Sequence, residues 1–248
     1  MRSATTAPKP PTARGALVGV AVLLLVVKDV VPFGAWLLYP FTLLASWVHE
    51  MGHGLTALLI GGHFQSLAIF ADASGLAYTA QPAGWASGLV SAGGLLAPPL
   101  AGAALLGLAR GPRRARTLLV LTAAAMTLSM LVWVRSVIGW IALPAVAVCI
   151  GLVALRGGTR LQMLAAQFLG VFFALDTVSR IGYCFTAEAY IGGAKRASDV
   201  ANMAAALGGT GWLWGVVVAG TSLGLLALGL WMAWRKPRAA QVPWPATS

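Results

Sequence analysis

Charge is scarce in this sequence. Only 9% of the 248 residues are Asp, Glu, Lys or Arg, and only six of these are acidic. Soluble domains usually carry about 25% charged residues. Because 59% of the chain is hydrophobic, a water-soluble fold would have to expose large apolar patches and would aggregate. The composition therefore argues against an ordinary soluble domain and predicts a protein whose surface is largely covered by lipid.

Cysteine is also rare, and the charge that is present is mostly positive. Cys149 and Cys184 have no CxxC spacing, which argues against a disulfide framework, and we expect both to be buried free thiols. The net charge is +11, but the basic residues cluster between apolar stretches, around 110–116 and 235–238, without interleaved aromatic residues. Such clusters are typical of segments that flank membrane spans and contact anionic headgroups, so we expect no nucleic-acid partner.

Long apolar stretches predict about seven transmembrane helices, each near the length of about 20 residues that a bilayer requires. The first stretch, 16–31, resembles a signal peptide but lacks a small-residue cleavage site, so we expect an uncleaved span. The second runs from about residue 33 or 40 to Ile60 and is followed by Gly61-Gly62, a natural helix end. The remaining spans are expected at 84–109, 117–134, 137–155, 161–183 and 211–234.

The expected fold is an all-α, polytopic helical bundle with one short interruption. Residues 64–81 are less apolar and predict two short strands joined by a turn at residues 72–75, a hairpin directly after the second span. Residues 1–14 are expected to be a disordered tail, 15–234 a single membrane-embedded domain and 235–248 a basic tail. Basic residues fall almost equally on the two sides of the membrane, so the orientation stays open.

The sequence His49-Glu50-Met51-Gly52-His53 is an HExxH motif inside the second span. Each helical residue advances about 100°, so His49 and His53 lie about 40° apart on one face, one turn from each other. Two imidazoles in this arrangement bind one zinc ion, and Glu50 lies close enough to take a proton from a metal-bound water. An ionisable group near the centre of a span costs about 2.5 kcal/mol or more unless it is partnered, which favours a functional site.

At these residues the chain resembles the site-2 protease clan of intramembrane metalloproteases, in particular its short M50B-like bacterial members. The resemblance rests on HEMGHGLTALLIGG and extends to the strand-like stretch after it and to the Gly-rich span LVSAGGLLAPPLAGAALL. It implies a membrane-embedded peptidase that uses Zn²⁺ and acts on membrane-protein substrates, as a multi-pass protein of the bacterial cell membrane. We expect no PDZ-like domain of the kind that larger relatives carry.

The resemblance also implies that an Asp on a later span is the third zinc ligand. The family's LDG motif corresponds here to Leu175-Asp176-Thr177, without the Gly. Asp176 is therefore the expected third ligand, with an i,i+4 ion pair to Arg180 as its structural alternative. Asp199 is the rival ligand, although its position before the helix-like stretch VANMAAAL also suits an N-cap. His63 and Asp72 follow the helix end too closely to be preferred, and we expect Glu188 to be solvated in a loop.

The sequence thus predicts an intramembrane zinc endopeptidase that cleaves a peptide bond in or near a transmembrane segment, with Glu50 as the general base. A second hypothesis is a zinc-binding scaffold or transporter that keeps the motif without proteolysis. The intact Glu50 favours the enzyme, since binding alone needs only the histidines. A free edge of the hairpin, at Ala68 and Ile69 of the first strand, would pair with an unwound substrate segment; an ordinary interfacial loop is equally compatible with this stretch.

Overall fold

The computed structural model describes residues 33–179 and 181–235, together with Gly19 and Val26. Except for Gly19 and Val26, the predicted first span at 16–31 therefore lies outside the described residues. The predicted N-terminal tail and all of the C-terminal tail after Arg235 lie outside them as well.

The described chain is mostly helical, as predicted. Six long helices, one short helix (α6) and a 3₁₀-helix at Ile181–Phe185 account for most of it. The α-helices are α1 (Gly34–Leu59), α2 (Trp85–Leu108), α3 (Pro112–Val132), α4 (Val137–Arg156), α5 (Thr159–Ser179), α6 (Asp199–Leu207) and α7 (Gly211–Trp234). The predicted boundaries agree to within a few residues for most of these. At the end of α1, Gly61 adopts a φ of 80°, the left-handed conformation that favours glycine after a helix.

Four of these helices, α2, α3, α4 and α7, are long and apolar enough to cross a membrane. The helix with the HExxH motif, α1, and α5, which contains Gln162, Gln167 and Asp176, are less apolar. The described residues therefore support an integral membrane protein with four candidate spans, and the predicted total of seven is not confirmed.

The predicted hairpin after α1 is confirmed. It consists of β1 (His63–Ile69) and β2 (Gly75–Ala80), which pair antiparallel. A second antiparallel hairpin, β3 (Glu188–Ile191) and β4 (Ala194–Ala197), was not predicted. Glu188 was expected in a loop; its side chain is exposed, as expected, but it begins a strand and forms an ion pair with Lys195. Neither EAYI nor AKRA alternates between apolar and polar residues, so the sequence carries no strand pattern here.

The outer edge of β1 is occupied, so the expectation of a free edge at Ala68 and Ile69 was wrong. Leu67 N donates to Trp133 O at 2.8 Å, and Arg135 N donates to Leu67 O at 2.9 Å. Ile69 N donates to the Ser136 hydroxyl at 2.8 Å. The segment between α3 and α4 thus adds to the sheet on this side, and the edge that remains to be considered is that of β2.

Helix α2 lies at the centre of the bundle, where it packs against α1, α5, α6 and α7. The hairpin β1–β2 covers another side of α1, and α3 packs on α4. Apolar side chains from these elements form one large core that includes Leu43, Leu67, Leu119, Leu143 and Phe172. The helix that carries the motif is therefore held between α2 and the first hairpin.

Helices α1 and α2 approach each other very closely at the motif. A Cβ atom on Gly52 would lie 2.4 Å from the Gly93 carbonyl oxygen and 2.5 Å from the Ala97 Cβ. A Cβ on Gly93 would in turn lie 2.0 Å from the Thr56 hydroxyl oxygen. Small residues at such a crossing let helix backbones pack directly on each other in a bilayer.

We predict that Gly52→Ala destabilises the protein. The added methyl group meets backbone rather than a movable side chain, and overpacking of this kind costs about 1–3 kcal/mol, more than the gain of about 1 kcal/mol from replacing Gly by Ala in a helix. Thermal unfolding of the purified protein in detergent measures the effect. The matched control is Gly224→Ala in α7, where nothing lies within 4 Å of the added Cβ, and equal stability of the two variants would contradict the close approach.

Candidate metal centre

The two histidines of the motif meet as the helical spacing predicts. His49 and His53 lie one turn apart on α1, and their Nε2 atoms are 3.1 Å from each other. The rings are nearly perpendicular, with centroids 4.7 Å apart. Ligand atoms of His49, Glu50 and His53 all lie within 4.8 Å of one another, so the motif forms a compact cluster of possible metal ligands.

A carboxylate from the other end of the chain completes this cluster. Asp199 Oδ2 lies 3.2 Å from His49 Nε2, and Asp199 Oδ1 lies 3.5 Å from His53 Nε2. Asp199 is the first residue of α6 and is buried. The N-cap role that the sequence offered for Asp199 belongs to Ser198, whose hydroxyl accepts from Ala201 N at 3.2 Å. The Asp199 side chain is therefore available to the histidines.

These three side chains fit a tetrahedral metal ion. Nitrogen and oxygen ligands lie about 2.0–2.1 Å from tetrahedral zinc, which places neighbouring ligand atoms about 3.3 Å apart. The observed separations of 3.1, 3.2 and 3.5 Å have this size. Two imidazoles and one carboxylate are also a donor set that catalytic zinc sites use, with the fourth position left for water.

Asp176, the expected third ligand, lies elsewhere in the site. It is a buried residue of α5 and lines a cavity beside His49 and Glu50. The described histidines pair with Asp199 and not with Asp176. Arg180, the proposed ion-pair partner of Asp176, lies outside the described residues.

Contacts from α2 orient the His53 ring. His53 Nδ1 is 2.8 Å from the Val90 carbonyl oxygen, an acceptor that requires the proton on Nδ1. This tautomer leaves the Nε2 lone pair free for a metal, as in most histidine metal ligands. The ring also lies against Gly94, where an added Cβ would come within 2.2 Å of it. Neither contact is recognisable from the sequence, because both depend on the register between α1 and α2.

Strand β2 fixes the position of Glu50. The Ala77 backbone N–H donates to Glu50 Oε2 at 2.7 Å, and the Glu50 side chain is buried. The strand passes so close that a Cβ on Gly75 would lie 2.5 Å from Glu50 Cγ. The first hairpin thus holds the carboxylate next to the histidines.

Tyr183, a residue of the 3₁₀-helix, was not predicted as part of the site. Its hydroxyl donates to Asp199 Oδ2 at 3.2 Å. Burial and the adjacent Asp199 charge raise the pKa of Tyr183 well above its usual value, so the phenol stays protonated and remains a donor. Burial alone would raise the pKa of Asp199, but His53 and His49 lower it below its usual value. The ionised form of such a carboxylate is the one that binds a metal ion.

Comparison with known protein families shows the family of the chain. The family model described as Peptidase M50B-like matches residues 16–229, which is most of the chain. The protein belongs to the M50B-like peptidase family. No curated protein and no solved structure matches the chain. Membership of this family implies a membrane metalloprotease, and the His49-Glu50-His53 cluster fits the HExxH motif of such enzymes.

Two cavities flank the metal centre of this M50B-like protein. The larger, about 480 Å³, is mostly apolar in its lining and includes Leu95, Pro98 and Asp176. The smaller, about 320 Å³, is lined mainly by polar groups and by β2. Five residues border both cavities: His49, Glu50, Gly75, Tyr183 and Ile191. The reactive groups are thus accessible from an apolar side and from a polar side.

We predict that Tyr183→Phe weakens metal binding about tenfold, because groups that hydrogen-bond a metal ligand typically contribute that much or more to affinity. Titration with Co²⁺, whose absorption reports its coordination, against a competing chelator measures the affinity. Tyr78→Phe is the matched control, since Tyr78 lies on β2 and is 45% exposed. Unchanged Co²⁺ affinity in Tyr183→Phe would show that the hydrogen bond to Asp199 does not support the site.

Proposed function

We propose that this protein is a multi-pass intramembrane zinc endopeptidase of the bacterial cell membrane. Its reaction is hydrolysis of a peptide bond in or near a transmembrane segment of a substrate protein. The observation that carries the proposal is the convergence of His49, His53 and Asp199, with the Glu50 carboxylate beside them. Family membership supports the same reaction.

In this proposal His49, His53 and Asp199 hold the zinc ion, and Asp199 takes the place first expected for Asp176. The distances between the three side chains support this assignment, as does the hydrogen bond from Tyr183 to Asp199. A zinc ion held by these residues would supply Lewis acidity for a water molecule and for the peptide carbonyl. Asp176 is not a zinc ligand in this proposal; it lines the larger cavity, where the substrate would lie.

Glu50 moves the proton in this mechanism. Its carboxylate takes a proton from the attacking water and delivers it to the leaving amine. The hydrogen bond from Ala77 N to Oε2 and the contact with Gly75 keep the carboxylate in one position, so that it need not reorganise during the reaction. A scaffold or transporter would bind the metal without needing this held carboxylate.

We expect Glu50→Gln to keep zinc and to lose cleavage by a factor of about 10² to 10⁴, since the amide is similar in size but cannot accept the proton. Metal analysis and cleavage of a reconstituted single-span substrate measure the two properties. Asp72→Asn makes the equivalent change at an exposed acidic residue that lines neither cavity, and it should keep most activity. A Glu50→Gln variant that cleaves like the parent would refute the base, and a parent that binds zinc without any cleavage would favour the scaffold.

The cavities suggest how substrate and water reach the zinc. The larger, apolar cavity suits side chains of a transmembrane segment, and the polar one suits water and the unwound part of the chain. An unwound segment in a membrane needs partners for its backbone N–H and C=O groups. Strand β2 offers them at Gly75 and Thr79, which border the smaller cavity on its outer edge, while the Ala77 N–H between them is used by Glu50. We propose that the substrate pairs with this edge.

Thr79→Pro tests the pairing. Ala77 N points away from β1, towards Glu50, and backbone N–H groups alternate along a strand, so the Thr79 N–H points the same way. Proline removes this donor but is tolerated at a strand edge. We expect turnover to fall several-fold with zinc content unchanged, whereas Thr79→Val, which keeps the N–H, should cleave normally. Equal turnover of the two variants would exclude pairing at this position.

A further inference from the structure

The smaller cavity contains charges of both signs, and only the acidic ones are engaged. Glu50 accepts from Ala77 N, and Asp199 contacts both histidines and Tyr183. The basic side chain that lines the same cavity is Arg196, on β4. Among the described residues, no carboxylate forms an ion pair with Arg196. The cavity next to the metal centre therefore offers a cation to whatever enters it.

The register of the second hairpin separates Arg196 from the neighbouring Lys195. Arg196 is opposite Ala189 and Lys195 is opposite Tyr190, so the two basic side chains point to opposite faces. Lys195 forms an ion pair with Glu188 at 2.5 Å on its face. Arg196 borders the cavity on the other face. Two adjacent cations thus differ in that one is neutralised by a neighbour and the other is not.

Gln81 is a second polar group of this cavity without a partner. Its Oε1 atom is buried, and no described residue donates a hydrogen bond to it. A buried acceptor without a donor destabilises the folded protein until a partner binds it. A peptide lying along the cavity would supply N–H donors to Gln81, while one of its acidic side chains would reach Arg196.

We propose that Arg196 is a specificity residue that binds the carboxylate of an acidic residue close to the scissile peptide bond of the substrate. This inference rests on the proposed peptidase function and names the chemistry of the substrate at the polar cavity. The planar guanidinium is suited to bidentate contact with a carboxylate. Glu50 and Asp199 line the same cavity, and their negative charges would repel an acidic substrate residue. The positive charge of Arg196 offsets this repulsion.

A phosphate group of an anionic lipid offers Arg196 similar chemistry. The two anions can be distinguished by experiment. A substrate carboxylate enters with the peptide, whereas a phosphate headgroup is present only when anionic lipid is present. A useful experiment therefore compares ligands that differ only in the carboxylate and repeats the comparison with and without anionic lipid.

The test uses two peptide hydroxamates that differ only in carrying Glu or Gln next to the zinc-binding hydroxamate. Binding to the purified, zinc-loaded full-length chain is measured by calorimetry in a neutral detergent. We expect the Glu ligand to bind about tenfold more tightly than the Gln ligand, the size of one charge-assisted hydrogen bond. The preference should vanish in Arg196→Gln, persist in part in Arg196→Lys and remain complete in Lys195→Gln.

Equal affinity of the parent for the two hydroxamates, or a preference that survives in Arg196→Gln, would overturn the proposal. Loss of the preference in the parent on adding phosphatidylglycerol would also overturn it, by assigning Arg196 to lipid headgroups. Cleavage is not the readout, so this result is independent of the peptidase assignment. An inactive protein that still discriminates the ligands would keep Arg196 as the residue that binds the acidic side chain but would refute the peptidase, and with it the role of Arg196 in substrate choice. An active protein without discrimination would refute the inference alone.

Discussion

Ionisable side chains among apolar helices must find partners, and the arrangement around His49 follows from this requirement. A buried charged group that is left without a partner loses its hydration and gains nothing in return. Asp199, Glu50 and the two histidines share this cost, because each lies within contact distance of another member of the group. A divalent ion between the histidines and Asp199 would replace these contacts with metal–ligand bonds. The cluster therefore has the arrangement of a metal site. Removing one of its members would leave the others buried without a partner.

The precision of the cluster depends on two elements that carry no titratable ligand. Helix α2 supplies the Val90 carbonyl and the space at Gly94 that together orient His53. Strand β2 supplies the Ala77 N–H that holds Glu50. Both elements pack directly on α1. Rigid backbone on two sides of the motif helix thus positions His53 and Glu50 independently of each other. Catalysis requires both to be held in place, although they are only three residues apart in sequence.

Much of the fold was predictable because it depends on local patterns. Apolar stretches about as long as a bilayer is thick predicted the helices. The i,i+4 spacing of His49 and His53 predicted that their side chains lie next to each other. The third carboxylate had no such signal. Asp176 was favoured because Leu175-Asp176-Thr177 resembles the LDG motif of the family. The contact of Asp199 instead depends on how the 3₁₀-helix and the β3–β4 hairpin return the chain to α1. Ser198 was the clue available in the sequence: as an N-cap residue it leaves the next side chain free.

The position of the bound ion tests the assignment of Asp199 most directly. Crystals of the zinc-loaded protein, measured on both sides of the zinc absorption edge, should give one anomalous peak per chain. We expect His49 Nε2, His53 Nε2 and one carboxylate oxygen of Asp199 within about 2.0–2.2 Å of this peak. A peak bound by Asp176 instead of Asp199, or histidines with no zinc between them in the loaded protein, would contradict the metal centre described above.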